Sequence, residues 1–210
     1  MSNNLIITIG REFGSGGLEV GQKLAEKLGI KCYDQELLKL AAKESGFCQE
    51  IFEHQDEKPT NSFLYSLVMD TYSISGYSSA PFLDMPLNHK VFLAQFETIK
   101  KIAERESCVI VGRCADYALS EIANCINVFV HADKDFKIQR VCSALDIPEN
   151  KAKDTIQKND KQRASYYNYY TSKKWGDSRS YNLTLDSSQL GIEGCVDLII
   201  AYKDLLAKKN

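Results

Sequence analysis

The run Leu5-Ile-Ile-Thr-Ile9 is apolar and β-rich without polar alternation, the pattern of a strand covered on both faces. Apolar residues then recur at a helical period at Val20, Leu24 and Leu28, and Gly29 supplies a stop. Lys31-Cys-Tyr33 reads as a short second strand and residues 37–42 as a helix. Phe92, Phe96, Ile99 and Ala103 mark one face of a further helix, and Cys108-Val-Ile-Val111 reads as a third, buried strand. The pattern continues with a strand over 126–130, a helix presenting Ile138, Val141, Cys142 and Leu145, and a fifth strand at Leu183-Thr-Leu185. A final helix carries Val196, Ile199 and Leu206, and Pro148 suits the first turn of another. Two stretches lack this order. Residues 54–88 hold Pro59, Pro81 and Pro86, which predicts irregular structure with a short helix near 63–69. Residues 149–181 are polar, basic and tyrosine-rich with little apolar period.

Strands alternating with helices predict one α/β domain over residues 1–210, a five-stranded parallel sheet with helices on both faces. The long insertion between the second and third strands fits the arrangement of P-loop kinases. Ligands in such sheets bind beyond the carboxyl ends of the strands. There the sequence places Gly10 to Gly17, Asp34, Gly112-Arg113, His131 and Asp186.

Gly10-Arg-Glu-Phe-Gly-Ser-Gly-Gly17 joins the first strand to the first helix. Gly10, Gly14, Gly16 and Gly17 let backbone N–H groups approach a phosphate, with Arg11 and Ser15 between them and the helix N-terminus adding its dipole. A plain tight turn is the simpler alternative. The loop departs from the Walker A pattern G-x-x-x-x-G-K-[ST], because Gly17 stands where the lysine belongs and Leu18 and Glu19 where the hydroxyl belongs. A dinucleotide site fits less well: Asp34 has the right spacing, but the third glycine of that fingerprint falls on Glu19.

Composition narrows the class. Apolar residues make up 44% and charged residues 26% of the 210, an ordinary globular mix, and the net charge of −2 disfavours a general nucleic-acid coat. No apolar run is long enough to span a bilayer and no signal peptide is apparent. Seven scattered cysteines without C-x-x-C pairs read as reduced core residues and predict a cytoplasmic protein with no metal site of its own.

Together these residues resemble the cytidylate kinase-like family of P-loop proteins. The similarity lies in Ile7-Thr-Ile-Gly-Arg-Glu-Phe-Gly-Ser-Gly-Gly17, Leu24-Ala-Glu-Lys-Leu-Gly29, Tyr33-Asp34, Val109-Ile-Val-Gly-Arg-Cys-Ala-Asp116 and Val128-Phe-Val-His-Ala132. It continues in Asp160-Lys-Gln-Arg-Ala-Ser-Tyr-Tyr167, Lys174-Trp-Gly-Asp177 and Tyr181-Asn-Leu183. The resemblance implies an NMP-binding insertion at about 47–90, a closing lid at about 149–180, and phosphoryl transfer from ATP with Mg²⁺ to a small-molecule nucleotide, CMP or dCMP first. Asp34 is followed by Gln35-Glu36-Leu37-Leu38-Lys39 in place of the arginine and Thr-Gly-Ala stretch of true cytidylate kinases. A non-catalytic nucleotide-binding protein and a kinase of another small acceptor are the alternatives.

Phosphoryl transfer needs positioned positive charge. Arg11, Arg113 and Arg163 are the candidate catalytic cations, from the loop, the third-strand end and the lid. Asp34, Arg113, Lys161 and Arg163 are the candidate substrate contacts. Each has a plainer alternative: a solvated charge for Arg11, a structural pair with Asp116 or Glu12 for Arg113, a helix cap for Asp34. Arg140 reads equally as a phosphate contact or a solvated helix charge, Asp186 as a base-side group or a turn, and His131 as structural. Arg11 is expected to take part of the lysine's role at little cost to folding when removed, and Gly16→Val to fill phosphate space.

Overall fold

The computed structural model describes residues 4–45, 57, 86–122 and 124–208. The chain opens with β1 (Ile6–Arg11), α1 (Gly17–Leu28), β2 (Lys31–Tyr33) and α2 (Gln35–Ser45). From residue 87 onward come α3 (Leu87–Arg105), β3 (Cys108–Val111), the single turn α4 (Ala115–Ala118) and β4 (Cys125–His131). Then follow α5 (Lys134–Leu145), α6 (Glu149–Thr171), a 3₁₀ turn (Ser178–Ser180), β5 (Leu183–Asp186) and α7 (Ser187–Ala207), which kinks at Gly191. The five strands pair in the order β2-β3-β1-β4-β5, every pairing parallel.

β1 is central because it is apolar on both faces. Ile7 and Ile9, with Val109, Val111, Val128 and Val130, meet Val20 and Leu24 of α1 and Val196 and Ile199 of α7. Ile6, Cys108 and Ile110 meet Leu37 of α2, Ile99, Ile102 and Ala103 of α3, and Ala115 and Ala118 of α4. Thr8, the one polar residue of the run, is buried and donates its hydroxyl to Asn127 Oδ1 at 2.7 Å, so it carries no desolvation penalty. Fully burying each aliphatic side chain contributes about 1.5–3 kcal/mol, and this two-sided packing holds the carboxyl ends of β1, β3 and β4 at fixed spacing.

The irregular reading of 54–88 and its helix near 63–69 lie outside the described residues, apart from Glu57 and the start of α3. The polar stretch 149–181 differs from its pattern. Glu149–Thr171 is one unbroken helix with Pro148 at its N-cap. Its first half buries Ala152 and Ile156 against Ile138 and Val141 of α5. Its last turns bury Tyr166, Tyr167 and Tyr170, and the Tyr170 ring stacks on Phe92 of α3 with centroids 3.9 Å apart. These tyrosines are core residues, and their rings supply the apolar face that a count of aliphatic positions misses. Leu206, expected on the buried face of the last helix, is 37% exposed.

Candidate active site

β1 delivers the loop. Glu12 N–H still bonds to Val130 O at 3.0 Å, after which the chain turns away. Gly14 and Gly16 sit at φ 82° and 80°, in the left-handed region that an L side chain rarely adopts, and Gly16 caps α1. A Cβ on Gly14 would stand 3.0 Å from Lys137 O, and one on Gly16 would run into Ile192 of α7. Gly16→Val would therefore strain the left-handed backbone and force the Ile192 side chain to shift, beside the cleft that Gly16 also lines. Ser15 is fully buried and its hydroxyl donates to Glu12 O at 2.9 Å, so it tightens the loop from within. Gly10 also serves packing: a Cβ there would lie 2.8 Å from the Phe129 ring.

Gly17 begins α1 at the position of the Walker lysine. A Cβ on it would lie 2.5 Å from Arg11 Cβ and 3.2 Å from Arg11 Cγ. No side chain fits there while Arg11 keeps its place. Arg11 is held firmly: its Nη1 donates to Glu57 Oε1 at 2.6 Å, and its side chain is 12% exposed. Arg163, from the middle of α6, donates Nε to Glu57 Oε2 at 3.2 Å and Nη1 to Arg11 O at 3.3 Å. The Arg113 N–H points at Glu57 Oε1 from 3.3 Å. That N–H is aimed by three successive left-handed residues, Gly112, Arg113 and Cys114, at φ 79°, 54° and 55°. Two of them carry side chains, at a cost of order 1–3 kcal/mol each that the surrounding contacts offset. Gly112 leaves the space in which Arg11 Nη1 meets Glu57.

Burial alone pushes the Glu57 carboxyl up, but the charges of Arg11, Arg163 and Arg113 outweigh it and hold the carboxyl well below the usual range. The same burial lowers Arg163, with Arg11 beside it adding to the effect. Arg113 Nη1 donates to Asp34 Oδ1 at 2.9 Å and to Val111 O at 3.1 Å. Its side chain is 2% exposed. The alternatives pairing Arg113 with Asp116 or Glu12 give way to Asp34.

A second network fixes the loop from outside. Lys137 of α5 donates to Glu12 Oε2 at 2.7 Å and lies 3.6 Å from Asp160 Oδ2, while Phe13 N–H donates to Asp160 Oδ1 at 2.6 Å. Asp160 and Arg163 lie three apart on α6, so one helix face grips both sides of the loop. Burial raises the Asp160 carboxyl, opposed by the Phe13 N–H and Lys137. Ser187, buried at the start of α7, places Oγ 2.6 Å from Ser15 O and 3.0 Å from His131 O.

Arg11, Gly14, Gly16, Gly17, Asp34, Glu57, Arg113 and Arg163 line one cleft of about 470 Å³. The expected loop glycines (other than Gly10), Asp34 and the three arginines thus come together. Lys161 does not: it is exposed and away from the cleft. Arg140 pairs with Glu19 at 2.8 Å on the surface. Asp186 caps α7, accepting from Ser188 N–H at 2.9 Å. Glu57, Lys137 and Asp160 escaped the sequence reading. Asp160 had a signal, its spacing from Arg163, whereas Glu57 stands in the stretch with least pattern.

A glycine loop between the central strand of a parallel sheet and its helix, beside arginines from β1, the end of β3 and α6, defines the class: a P-loop kinase-like α/β protein. The family profile described as "Cytidylate kinase-like family" matches residues 6–189, and the chain belongs to that family. An uncharacterized protein from Eubacterium ventriosum ATCC 27560 has a crystal structure that is similar at 34% identity and TM-score 0.72, over 96% of this chain and 99% of that one. Shikimate kinase from Bacteroides thetaiotaomicron shares the fold at 15% identity and TM-score 0.53, over 97% of this chain and 98% of that one. No curated protein matches the chain. Among the described residues, no helix is long and apolar enough to cross a membrane.

Proposed function

We propose that this chain is a cytoplasmic phosphotransferase that moves the γ-phosphoryl of ATP, with Mg²⁺, to a nucleoside monophosphate, CMP or dCMP being the first candidates. The observation that carries the reading is the convergence of Arg11, Arg113 and Arg163 on one cleft beside the glycine loop. Its volume, about 470 Å³, lies in the range of small-molecule sites. The residues fit the group. Left-handed Gly14 and Gly16 at the N-terminus of α1 suit the polyphosphate. Magnesium in such enzymes rests on phosphate oxygens, water and one or two carboxylates, and Asp34 and Glu12 are cleft-lining carboxylates of that kind. Bound Mg²⁺·ATP would supply the phosphoryl group and part of the neutralising charge.

The protein's own residues then position and neutralise, which is most of what phosphoryl transfer asks. Arg163 reaches in from α6 and Arg11 from the end of β1, each to a different oxygen of the Glu57 carboxylate. Arg113 holds Asp34 at the mouth of β2, so that its carboxylate presents an acceptor for a substrate hydroxyl. A second reading, a nucleotide-binding protein without turnover, is favoured by one feature: Gly17 admits no lysine and Arg11 is already paired. A coupled assay of ADP release over a panel of nucleoside monophosphates and small alcohols separates them. Turnover on a monophosphate supports the first reading. ATP binding without turnover on any member establishes the second, and turnover on an alcohol alone makes the chain a kinase of another small acceptor.

A further inference from the structure

We propose that the seat occupied by the Glu57 carboxylate is an oxyanion site for a phosphate or transferring phosphoryl group, and that Glu57 is an internal counter-ion which such a ligand must displace. The inference rests on reading the cleft as a nucleotide site and adds how that site is held before a ligand arrives.

The donors converge as they would on a phosphate. Arg11 Nη1 and Arg163 Nε approach the two carboxylate oxygens from different elements, at 2.6 and 3.2 Å, and the Arg113 N–H adds a third direction at 3.3 Å. Guanidinium groups bind carboxylate and phosphate oxygens with the same geometry. The backbone that aims the Arg113 N–H is strained through Gly112, Arg113 and Cys114. Strain of this kind gathers where a ligand is clamped. The seat opens on the cleft, since Arg11, Arg163, Arg113 and Glu57 all line it beside Gly14, Gly16 and Gly17. A phosphate carried on the glycine loop therefore lies next to three donors already satisfied by a side chain.

Without Glu57 the Arg11 and Arg163 guanidinium groups would repel one another in a buried site, and Arg11 already depresses the affinity of Arg163 for its proton. Glu57 removes that repulsion. It also competes: if the carboxylate occupies the seat in about nine molecules of ten, the apparent affinity for an incoming anion falls about tenfold. A carboxylate carries one charge, whereas a phosphate ester or diphosphate carries more, so the ligand wins the exchange once bound by its other end. Glu57 then selects for a highly charged oxyanion against a carboxylate or chloride.

The test is titration calorimetry with inorganic pyrophosphate, without nucleotide, on wild-type protein and Glu57→Gln. The glutamine keeps the size and removes the charge. The expected result is a dissociation constant about tenfold or more lower in Glu57→Gln, lost again when Arg163→Gln is added. Equal or weaker binding by folded Glu57→Gln overturns the proposal and leaves Glu57 as a structural strut for the arginines. A second arm uses wild-type protein. The Arg163 Nε–H resonance, assigned by its loss in Arg163→Gln, should shift at saturating pyrophosphate. A resonance that stays in place at saturation overturns the proposal even if the variant fails to fold. Neither arm reads turnover. Pyrophosphate exchange without nucleotide turnover sinks the proposed kinase activity and keeps the seat, and turnover with unchanged pyrophosphate affinity does the opposite.

Discussion

The closeness of Gly17 to Arg11 gives a prediction whose sign reverses with context. At the first residue of α1, Gly17 has no positive φ, so alanine suits its backbone. In open space Gly→Ala there would stabilise by about 0.4–1 kcal/mol, because the unfolded chain loses more freedom. The native Cβ, however, would stand 2.5 Å from Arg11 Cβ. Arg11 cannot swing aside, since β1 holds its backbone and Glu57 holds its guanidinium at 2.6 Å. Overpacking of this kind costs about 1–3 kcal/mol. Gly17→Ala alone should therefore be destabilising. In the Arg11→Gly background the clash is gone, and the same substitution should be neutral or stabilising. Arg11→Gly itself costs the Glu57 pair and some strand propensity, but a double-mutant cycle subtracts both. Urea unfolding of the four proteins measures the cycle, and a coupling energy of about 1–3 kcal/mol is expected. Additive effects within about 0.5 kcal/mol would refute the claim that Arg11 closes the lysine position.

Three further outcomes follow from the same contacts. Arg11→Ala should lower turnover on the preferred acceptor about a hundredfold or more in steady-state kinetics, as for loss of one preorganised donor. It should also lower stability, because Glu57 is buried and loses its 2.6 Å partner, contrary to the expectation of a bystander in folding. His89 is fully buried beside Phe92 and Tyr170, and burial lowers its pKa from 6.5 to about 3. The unfolded chain then binds the extra proton first, so this contribution is complete above pH 6.5 and declines as pH falls toward 3. Unfolding free energies at pH 7 and 5 should differ less in His89→Gln than in wild type, whereas the contribution of Glu57, lowered from 4.5 to about 2, is present above pH 4.5 and is lost as pH falls toward 2. Tyr167→Phe removes the 2.6 Å bond to buried Asp116, whose carboxyl burial already raises, and should lower the unfolding free energy by about 1–3 kcal/mol in urea.

Elements covered on both faces were legible because burial on both sides leaves no polar alternation: β1, β3 and β4 were read within a residue or two, and Gly29 ends α1 as expected. The site was legible where chemistry recurs at strand ends, in the loop glycines, Asp34 and Arg113, and in Arg163 within the Asp160-Lys-Gln-Arg run of α6. It was opaque where meaning depends on a partner distant in sequence. Glu57 gains its role from partners distant in sequence, Arg11 46 residues away, Arg113 56 and Arg163 106. Lys137 looked like any helix charge until Glu12 and Asp160 met it. The tyrosines of α6 were misread because a tyrosine is apolar in its ring and polar at its tip, and only the Phe92 stack decides which end matters.

The position of β1 at the centre of the sheet has a consequence for synthesis on the ribosome. Residue 6 pairs with residue 108 on one side and residue 125 on the other. The first strand made therefore gains its two neighbours only after residues 108 and 125 have been made. At roughly 5–20 residues per second, the nascent Ile6–Arg11 segment waits on the order of ten seconds with both apolar faces and both hydrogen-bonding edges uncovered. A glycine-rich turn and the amphipathic α1 are the shelter that lies nearest in sequence, through Val20 and Leu24. Substitutions that weaken α1 should thus reduce the yield of soluble protein during rapid expression more than they reduce the melting temperature of the purified chain.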